Sequence, residues 1–358
     1  MLYDQAMLLS IYADLYSITK NSYYKRVAEE IIEFIFSHLR NLNGVFYASE
    51  DADSFVEEDV KEEGGLYTWT AREIKSHLDS TAYEIFCFRY AVYEFGNVPA
   101  AENEAGHLKG KNILYKANST EETAAKFKLS TAETQKILNS SIAVLRARRD
   151  KRSRPEVDKK IVASWNGLTI SSLAKASRAF SESKYLNIAL TAARYIRTHM
   201  YNEHTSQLNR ILDASEIPTC AEDYAFIIDA CLELYASTFD DSWVQWAATL
   251  QNEMDGLFWD VNSGGYFGSA KGETGIIIRI KDGMDKADPT ASSIAVHNLM
   301  RLEALISSCD EKKVCQFLSY SDRIQKILAE NFTSLSQLPK NLPNMMAGMT
   351  KFVVGVKE

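Results

Sequence analysis

The sequence predicts an all-α fold: helical hairpins laid side by side as part of a six-hairpin α/α toroid, incomplete as it stands and carrying a short β-containing insert. Three observations predict it. Four segments repeat one plan: an apolar-faced helix, a polar break, a second helix, and an aromatic or Gly-rich closure in most copies. Within each helix the apolar residues recur at three- and four-residue spacing, the period of a helix with one buried face. The copies also keep register, since Ala28 lies 24 residues after Asp4, Ala247 lies 24 after Asp223, and Ala189 lies 23 after Asn166.

The first copy runs from Asp4 through Leu8, Ile11 and Leu15, breaks at Lys20-Asn21-Ser22, resumes through Val27, Ile31 and Ile35, and closes on Gly44-Val45-Phe46-Tyr47. The second starts at Trp165-Asn166-Gly167, turns between Ser181 and Lys184, and closes near Leu208-Asn209. The third starts at Asp223-Tyr224-Ala225, turns at Asp240-Asp241-Ser242 and closes on Gly264-Gly265-Tyr266-Phe267. The fourth begins at Ser292-Ser293 and pairs with a helix between Phe317 and Phe332. Two further helices are expected at Ala82 to Tyr93 and Thr131 to Arg152, the latter opened by the capping pattern Ser130-Thr131-Ala132-Glu133. A polar insert of about 44–118 contains Leu66-Tyr67-Thr68-Trp69, which reads as a short strand, and then Thr70, which opens a helix. The toroid is assigned to 1–335. Residues 336–358 begin a C-terminal segment in which Thr350 to Val356 reads as a β-strand without a partner. Five hairpins are one short of six, so the pattern implies a hairpin before Met1 and a chain cut at both ends.

The chain is 358 residues long, 46% hydrophobic and 25% charged, with a formal net charge of −8. That balance argues against a general nucleic-acid binder, which must neutralise phosphates. No apolar run is long enough to span a bilayer, and the N-terminus lacks the basic leader of a signal peptide. Five cysteines (Cys87, Cys220, Cys231, Cys309, Cys315), odd in number and without a CxxC pair, read as buried reduced thiols of an intracellular protein, with no metal site and no cofactor.

The repeat places Asp4, Asn166, Asp223 and Ser292 at equivalent points, in the first turn of each inner helix. Polar groups there would ring one mouth of a toroid and could grip a sugar. Equally, Asp, Asn and Ser are the residues that cap helices. Asp51 and Asp53 follow an aromatic closure and supply further carboxyls, as does Asp285; a glycosidase needs two, one of them protonated. Asp-x-Asp equally suits a solvated loop, and the run Glu57-Glu58-Asp59 reads as one. Asp223, preceded by Glu222 and followed by Tyr224, is the favoured catalytic acid, because crowding by Glu222 should raise its pKa. Trp69, Trp165, Tyr224 and Tyr266 could stack on sugar rings, with Asn166 as a hydrogen-bonding partner; aromatics at such places are more often core. The basic stretch Arg146 to Arg154 complements a helix C-terminus.

Several of these motifs together resemble the spermatogenesis-associated protein 20 family. They are Met1-Leu2-Tyr3-Asp4-Gln5-Ala6, Glu50-Asp51-Ala52-Asp53-Ser54, Glu63 to Thr70, Ser164 to Leu168, Glu222 to Ala225, and Gly264 to Phe267, in order along the chain. The resemblance implies a thioredoxin-like domain followed by a toroid similar to six-hairpin glycosidases and N-acylglucosamine 2-epimerase. No thioredoxin-like segment stands in this sequence. The family name implies a role in male fertility. Two departures fall at rim positions: Asp158-Lys159-Lys160 where the family shows Asp-Asp-Lys, and Asp285-Lys286-Ala287 with Pro289-Thr290-Ala291-Ser292-Ser293 where it shows Asp-Gly-Ala and Pro-Ser-Gly-Asn-Ser. Of the histidines only His297 falls on an inner helix, which ranks an epimerase below a hydrolase. The functional expectation is therefore a carbohydrate-active enzyme with a carboxylate pair, against a non-catalytic scaffold that binds a ligand or partner.

Overall fold

The computed structural model describes residues 1–99, 106, 108–306 and 319–355. Its contacts divide the chain into two compact units, Met1–Ser49 with Asp158–Glu358, and Glu50–Val157. Helices dominate both, and the strands among the described residues are short antiparallel pairs.

The first unit holds α1 (Leu2–Thr19) and α2 (Ser22–Phe34, continued by a π turn at Ile35–Leu39). The second unit holds α3 (Ala71–His77), α4 (Ser80–Tyr90), α5 (Thr120–Phe127) and α6 (Thr131–Arg149). The chain then returns to the first unit with α7 (Ala163–Phe180), α8 (Ser183–His199), α9 (Ala221–Thr238), α10 (Asp241–Phe258), α11 (Ala291–Ile306), α12 (Tyr320–Glu330), α13 (Phe332–Gln337) and α14 (Pro343–Val354).

In the first unit α1, α7, α9, α11 and α14 pack in that order as a row of inner helices, with α2, α8, α10 and α12 as their outer partners. This is the hairpin array of an α/α toroid. The outer helices are amphipathic, and Ala28, Ala189 and Ala247, the residues that kept register in the sequence, are each fully buried. The inner helices are packed on both flanks, so α7 buries 14 of its 18 residues. Small side chains make that approach feasible. A Cβ on Gly167 would lie 2.8 Å from the Phe226 backbone of α9, so only glycine fits there.

One hydrogen-bond rule recurs at three closures. The outer helices α2, α8 and α10 each end in a reversal, paired as Arg40 with Phe46, Tyr201 with Leu208, and Trp259 with Tyr266. Two residues later a carbonyl accepts from the first N–H of the same hairpin's inner helix: Ala48 from Leu2 (2.9 Å), Arg210 from Ala163 (2.9 Å) and Gly268 from Ala221 (3.2 Å). The closure's own N–H turns to the next inner helix. Phe46 donates to Asn166 Oδ1 (2.9 Å), Leu208 to the Tyr224 hydroxyl (3.1 Å), and Tyr266 to Ser292 Oγ (3.1 Å). Buried N–H groups need such acceptors.

The second unit has an antiparallel hairpin, Asp53–Glu57 with Val60–Glu63, whose tip Glu58-Asp59 is exposed. Its core gathers Trp69, Ile74, Ile85, Phe86, Leu138 and Leu145. Arg152 lies over the Trp69 ring (4.1 Å to the centroid) and donates to the carbonyls of Leu66 (2.7 Å) and Thr68 (2.8 Å). The capping pattern at Ser130 forms a full capping box with Glu133.

Two expectations are corrected. Leu66 to Trp69 is a turn, not a strand, with Trp69 alone bridging to Asn112, because Arg152 occupies carbonyls that a strand partner would need. The C-terminal stretch is helical as far as Val354. Pro343 opens α14 and Gly355 closes it in the left-handed conformation, and Gly348 lets it lie against Val296 and His297 of α11. Packing overrides the β propensity of Phe352-Val353-Val354. Val356 lies outside the described residues, as do Cys309, Cys315, His107 and the start of the helix expected from Phe317. Cys87, Cys220 and Cys231 are free thiols, the last of them buried. No helix among the described residues is long and apolar enough to cross a membrane.

The closure rule makes a testable claim. Asn166→Leu preserves volume but leaves the Phe46 N–H and the Phe46 and Val162 carbonyls without their amide partner. The variant should lose about 2–4 kcal/mol in a urea titration, with faster exchange of the Phe46 amide. A loss under about 0.5 kcal/mol, the scale of an indifferent surface change, would show that the tie does not hold the hairpins.

Candidate functional site

The inner helices of the first unit begin at one end of the row, and the sequence puts acids and aromatics in their first turns. Tyr3 and Asp4 stand on α1, Trp165 and Asn166 on α7, and Glu222, Asp223 and Tyr224 on α9. Asp282, Asp285 and Asp288 lie in the segment that leads into α11. First-turn acids are favoured at helix N-termini by the dipole, so the clustering has a local cause.

Asp223 is fully buried and held from four directions. Its Oδ1 accepts from Ser164 N–H (3.2 Å), a first-turn donor of the neighbouring helix, and its Oδ2 from Cys220 N–H (2.9 Å), Arg210 Nη1 (3.2 Å) and Thr219 Oγ1 (3.4 Å). Burial raises its pKa, while Arg210 and the backbone donors oppose the rise. It therefore caps its own helix, fastens the first turn of α7, and is closed to a ligand.

Glu222, one residue earlier, points to the half-exposed side. Burial, then the charges of Asp223, Asp282 and Asp288, push its carboxyl up to about 7, with Arg210 pulling the other way. Asp288 is raised by burial, and Asp282 and Asp4 add to this. The Tyr3 phenol is raised by burial and by Asp4 and Asp288, and its ring meets Trp165 edge-on (5.0 Å between centroids, 67°). Tyr3 and Trp165 are thus in ring contact, and Asp4, Glu222 and Asp288 lie close enough to act on one another's surroundings at the N-terminal ends of the inner helices. The Cys220 thiol is pushed up to about 11 by burial, so it is not a thiolate nucleophile near neutral pH.

The other sequence-chosen residues are engaged elsewhere. Asn166, Tyr224 and Ser292 accept the closure N–H groups, and Thr290, not Ser292, caps α11 through Ser293 N–H (3.1 Å). Tyr266 is buried and donates to Asp255 Oδ1 (2.6 Å), in a network with Gln251 and Arg323. Asp285 accepts from Thr290 N–H (2.9 Å) and Asn344 N–H (3.0 Å), which ties the approach of α11 to the start of α14. His297 Nε2 lies 2.9 Å from the Asn344 carbonyl. Asp51, Asp53 and Trp69 belong to the second unit; Asp51 is exposed and Trp69 lies in that unit's core. Sequence reasoning passed over Glu222 and Asp288 as primary candidates. The adjacency Glu222-Asp223 was the available signal: neighbouring helical residues point about 100° apart, so one acid turns inward and the other to the mouth. Among the described residues no His, Cys, Asp and Glu group has the geometry to hold a metal ion.

No protein-family model matches the chain. It is 32% identical to human spermatogenesis-associated protein 20 over 372 residues, covering 97% of this chain and 47% of that protein. It is also 32% identical to uncharacterized protein B0495.5 of Caenorhabditis elegans over 373 residues, covering 99% of this chain and 50% of that one. The chain spans about half the length of the curated relatives it matches. Among solved structures, cellobiose 2-epimerase from Spirochaeta thermophila aligns with 94% of this chain and 59% of its own, at 8% identity and a TM-score of 0.49.

Two predictions follow from the site's electrostatics. The folded-state pKa of Glu222 lies above its ordinary 4.5, so its proton is bound more tightly in the folded chain. Its contribution is fully present below pH 4.5 and is lost as pH rises through about 7, by about 3 kcal/mol in all. Glu253, pushed to about 7 by burial, titrates in the same window. Glu222→Gln should therefore flatten the fall in stability between pH 5 and 7 without abolishing it; an unchanged slope would refute the shift. Asp223→Asn removes the partner of a half-buried Arg210 and one backbone acceptor. It should cost about 2–4 kcal/mol, where a simple surface cap would lose about 1 kcal/mol or less.

Proposed function

We infer, from the premise that this chain belongs over its matched span to the spermatogenesis-associated protein 20 family, that its helical array is carbohydrate-active and that the mouth at the N-terminal ends of the inner helices is its catalytic site. The observation that carries this reading is the Glu222 carboxyl, pushed up to about 7 at a half-exposed position. An acid of that strength is partly protonated near neutral pH and can also release its proton there, as a general acid–base catalyst must.

In the proposed reaction Glu222 donates its proton to the departing glycosidic oxygen. Asp288, which shares its environment, supplies the second carboxyl, as a base toward water or as the nucleophile. Tyr3 and Trp165 offer the apolar faces on which a sugar ring stacks. Asp223 and Arg210 are positioning residues: their ion pair fixes the first turn of α9 and with it the direction of Glu222. Proton transfer at a sugar carbon, as in isomerisation or epimerisation, would use the same acid, so the reaction class is hydrolase first and isomerase second.

A scaffold reading has its own support. Asn166, Tyr224, Tyr266 and Ser292, all apt for sugar binding by type, are engaged in holding hairpins together. One experiment separates the two. The chain is screened by thermal shift against mono- and disaccharides, and saccharides that bind are assayed for turnover with wild type and Glu222→Gln. The enzyme reading expects a saccharide that raises the melting temperature of both proteins, with turnover reduced about 10²–10⁴-fold in the variant. Binding without turnover supports the scaffold, and turnover untouched by the variant removes Glu222 from the chemistry.

A further inference from the structure

In a stack of repeats each inner helix is covered by the hairpin before it, and an element that ends the stack carries a polar outer face. The uncovered flank of α1 is not polar. Leu8, Ile11 and Ile18 stand on it, 44%, 51% and 81% exposed. Of its 18 residues, α1 buries only Leu2, Ala6, Leu9 and Ala13. Counted from Asp4 on α1 and Asn166 on α7, the equivalents of those three residues are Ile170, Leu173 and Phe180, none more than 6% exposed. Counted from Asp223 on α9, the first two are Ile227 and Ala230, none more than 2% exposed.

The preceding hairpin supplies the cover. The Phe180 ring of α7 meets Tyr16 of α1 edge-on (5.3 Å between centroids), and Lys25 of α2 lies over it at 5.6 Å. The backbone at Phe226 and Ile227 of α9 lies against Gly167 of α7. Two acids on the α1 flank fit the same plan. Asn166 takes the Phe46 N–H (2.9 Å) of the preceding closure, and Asp223 takes the Ser164 N–H (3.2 Å) of the preceding inner helix; Asp4 holds that position on α1. Further along α9, Glu233 takes Arg178 from the last turn of α7, and the matching position on α1 is the exposed acid Asp14.

We propose that this flank is a docking surface for an amphipathic helical hairpin of the same repeat plan, presented by a separate polypeptide and carrying a basic residue in the last turn of its inner helix. Its apolar stripe covers Leu8, Ile11 and Ile18, its basic side chain pairs with Asp14, and one of its backbone N–H groups ends on Asp4. A second copy of the chain is not the occupant. In such a copy the faces that α1, α7, α9 and α11 turn toward the next inner helix are already taken, so no complete hairpin is free to dock. The surface does not depend on the carbohydrate reading and would stand if that reading failed.

The probe is a synthetic peptide of residues 160–212, the α7–α8 hairpin with its closure, whose helices form as it docks. It is titrated into the intact chain and followed by calorimetry, where one equivalent should bind at saturation. Ile11→Glu in the chain should weaken binding about tenfold or more, the scale of a central apolar contact, with the melting temperature unchanged. Asp14→Lys should weaken it several-fold, and a peptide carrying Arg178→Glu should recover that loss, a charge swap to which general apolar adhesion is blind. Absence of saturable binding would overturn the proposal, as would failure of the charge swap. Binding indifferent to Ile11→Glu would do so too, because the peptide would then be replacing the chain's own α7–α8 hairpin. A fall in melting temperature with Ile11→Glu would show that side chain to be packed already. Sedimentation of the chain alone as a dimer that Ile11→Glu dissolves would make a second copy the occupant, against the proposal.

Discussion

The N–H at the centre of each closure must find an acceptor inside the protein, and the next inner helix is the element that supplies it. An unanswered buried N–H costs about 1–3 kcal/mol, so each of these ties is a condition for seating one hairpin on the next. The acceptors are an amide at Asn166, a phenol at Tyr224 and a hydroxyl at Ser292. Three chemistries at one structural point indicate that the constraint is an acceptor in that place, not a residue type. The same ties fix each closure against the first turn of the next inner helix.

Different burial explains how two adjacent acids acquire different properties. Asp223 faces inward, where burial raises its pKa and Arg210, Cys220 N–H and Ser164 N–H oppose the rise while fixing the carboxyl in place. Glu222 faces the partly exposed side, where burial and the carboxylates Asp223, Asp282 and Asp288 disfavour ionisation. The inner acid is thus a structural post for the outer one. A frame of this kind leaves its functional groups to whatever residues flank the ties, consistent with function residing in the site and not in the fold.

The hairpin plan was legible in the sequence because it is a matter of period and register, and Ala28, Ala189 and Ala247 mark buried points that a sum over single-residue propensities would miss. The site was only half legible. Asp, Asn and Ser in a first turn look alike whether they cap a helix, meet a ligand or receive an N–H from the preceding hairpin, and only the tertiary partner separates these roles. Asp223 was singled out for crowding by Glu222; its pKa is raised, but by burial, with Arg210 and backbone donors opposing, while Glu222 is the acid raised to about 7 by burial and by Asp223. The aromatics divided in the same way: Tyr266 and Trp69 are core, while Trp165 meets Tyr3 at the mouth. At the C-terminal end, Phe352-Val353-Val354 favours a strand locally, and the framing Pro343 and Gly355 with the contact of Gly348 on α11 decide for helix.

The most direct measurement is the titration of the Glu222 carboxyl itself, by carbon NMR of the chain labelled at glutamate side chains, with Glu222→Gln to assign the resonance. The account predicts a midpoint near 7 for Glu222, moving downward when Asp288→Asn removes a neighbouring negative charge. A midpoint near the ordinary 4.5, unmoved by that substitution, would contradict it and leave the mouth without its acid.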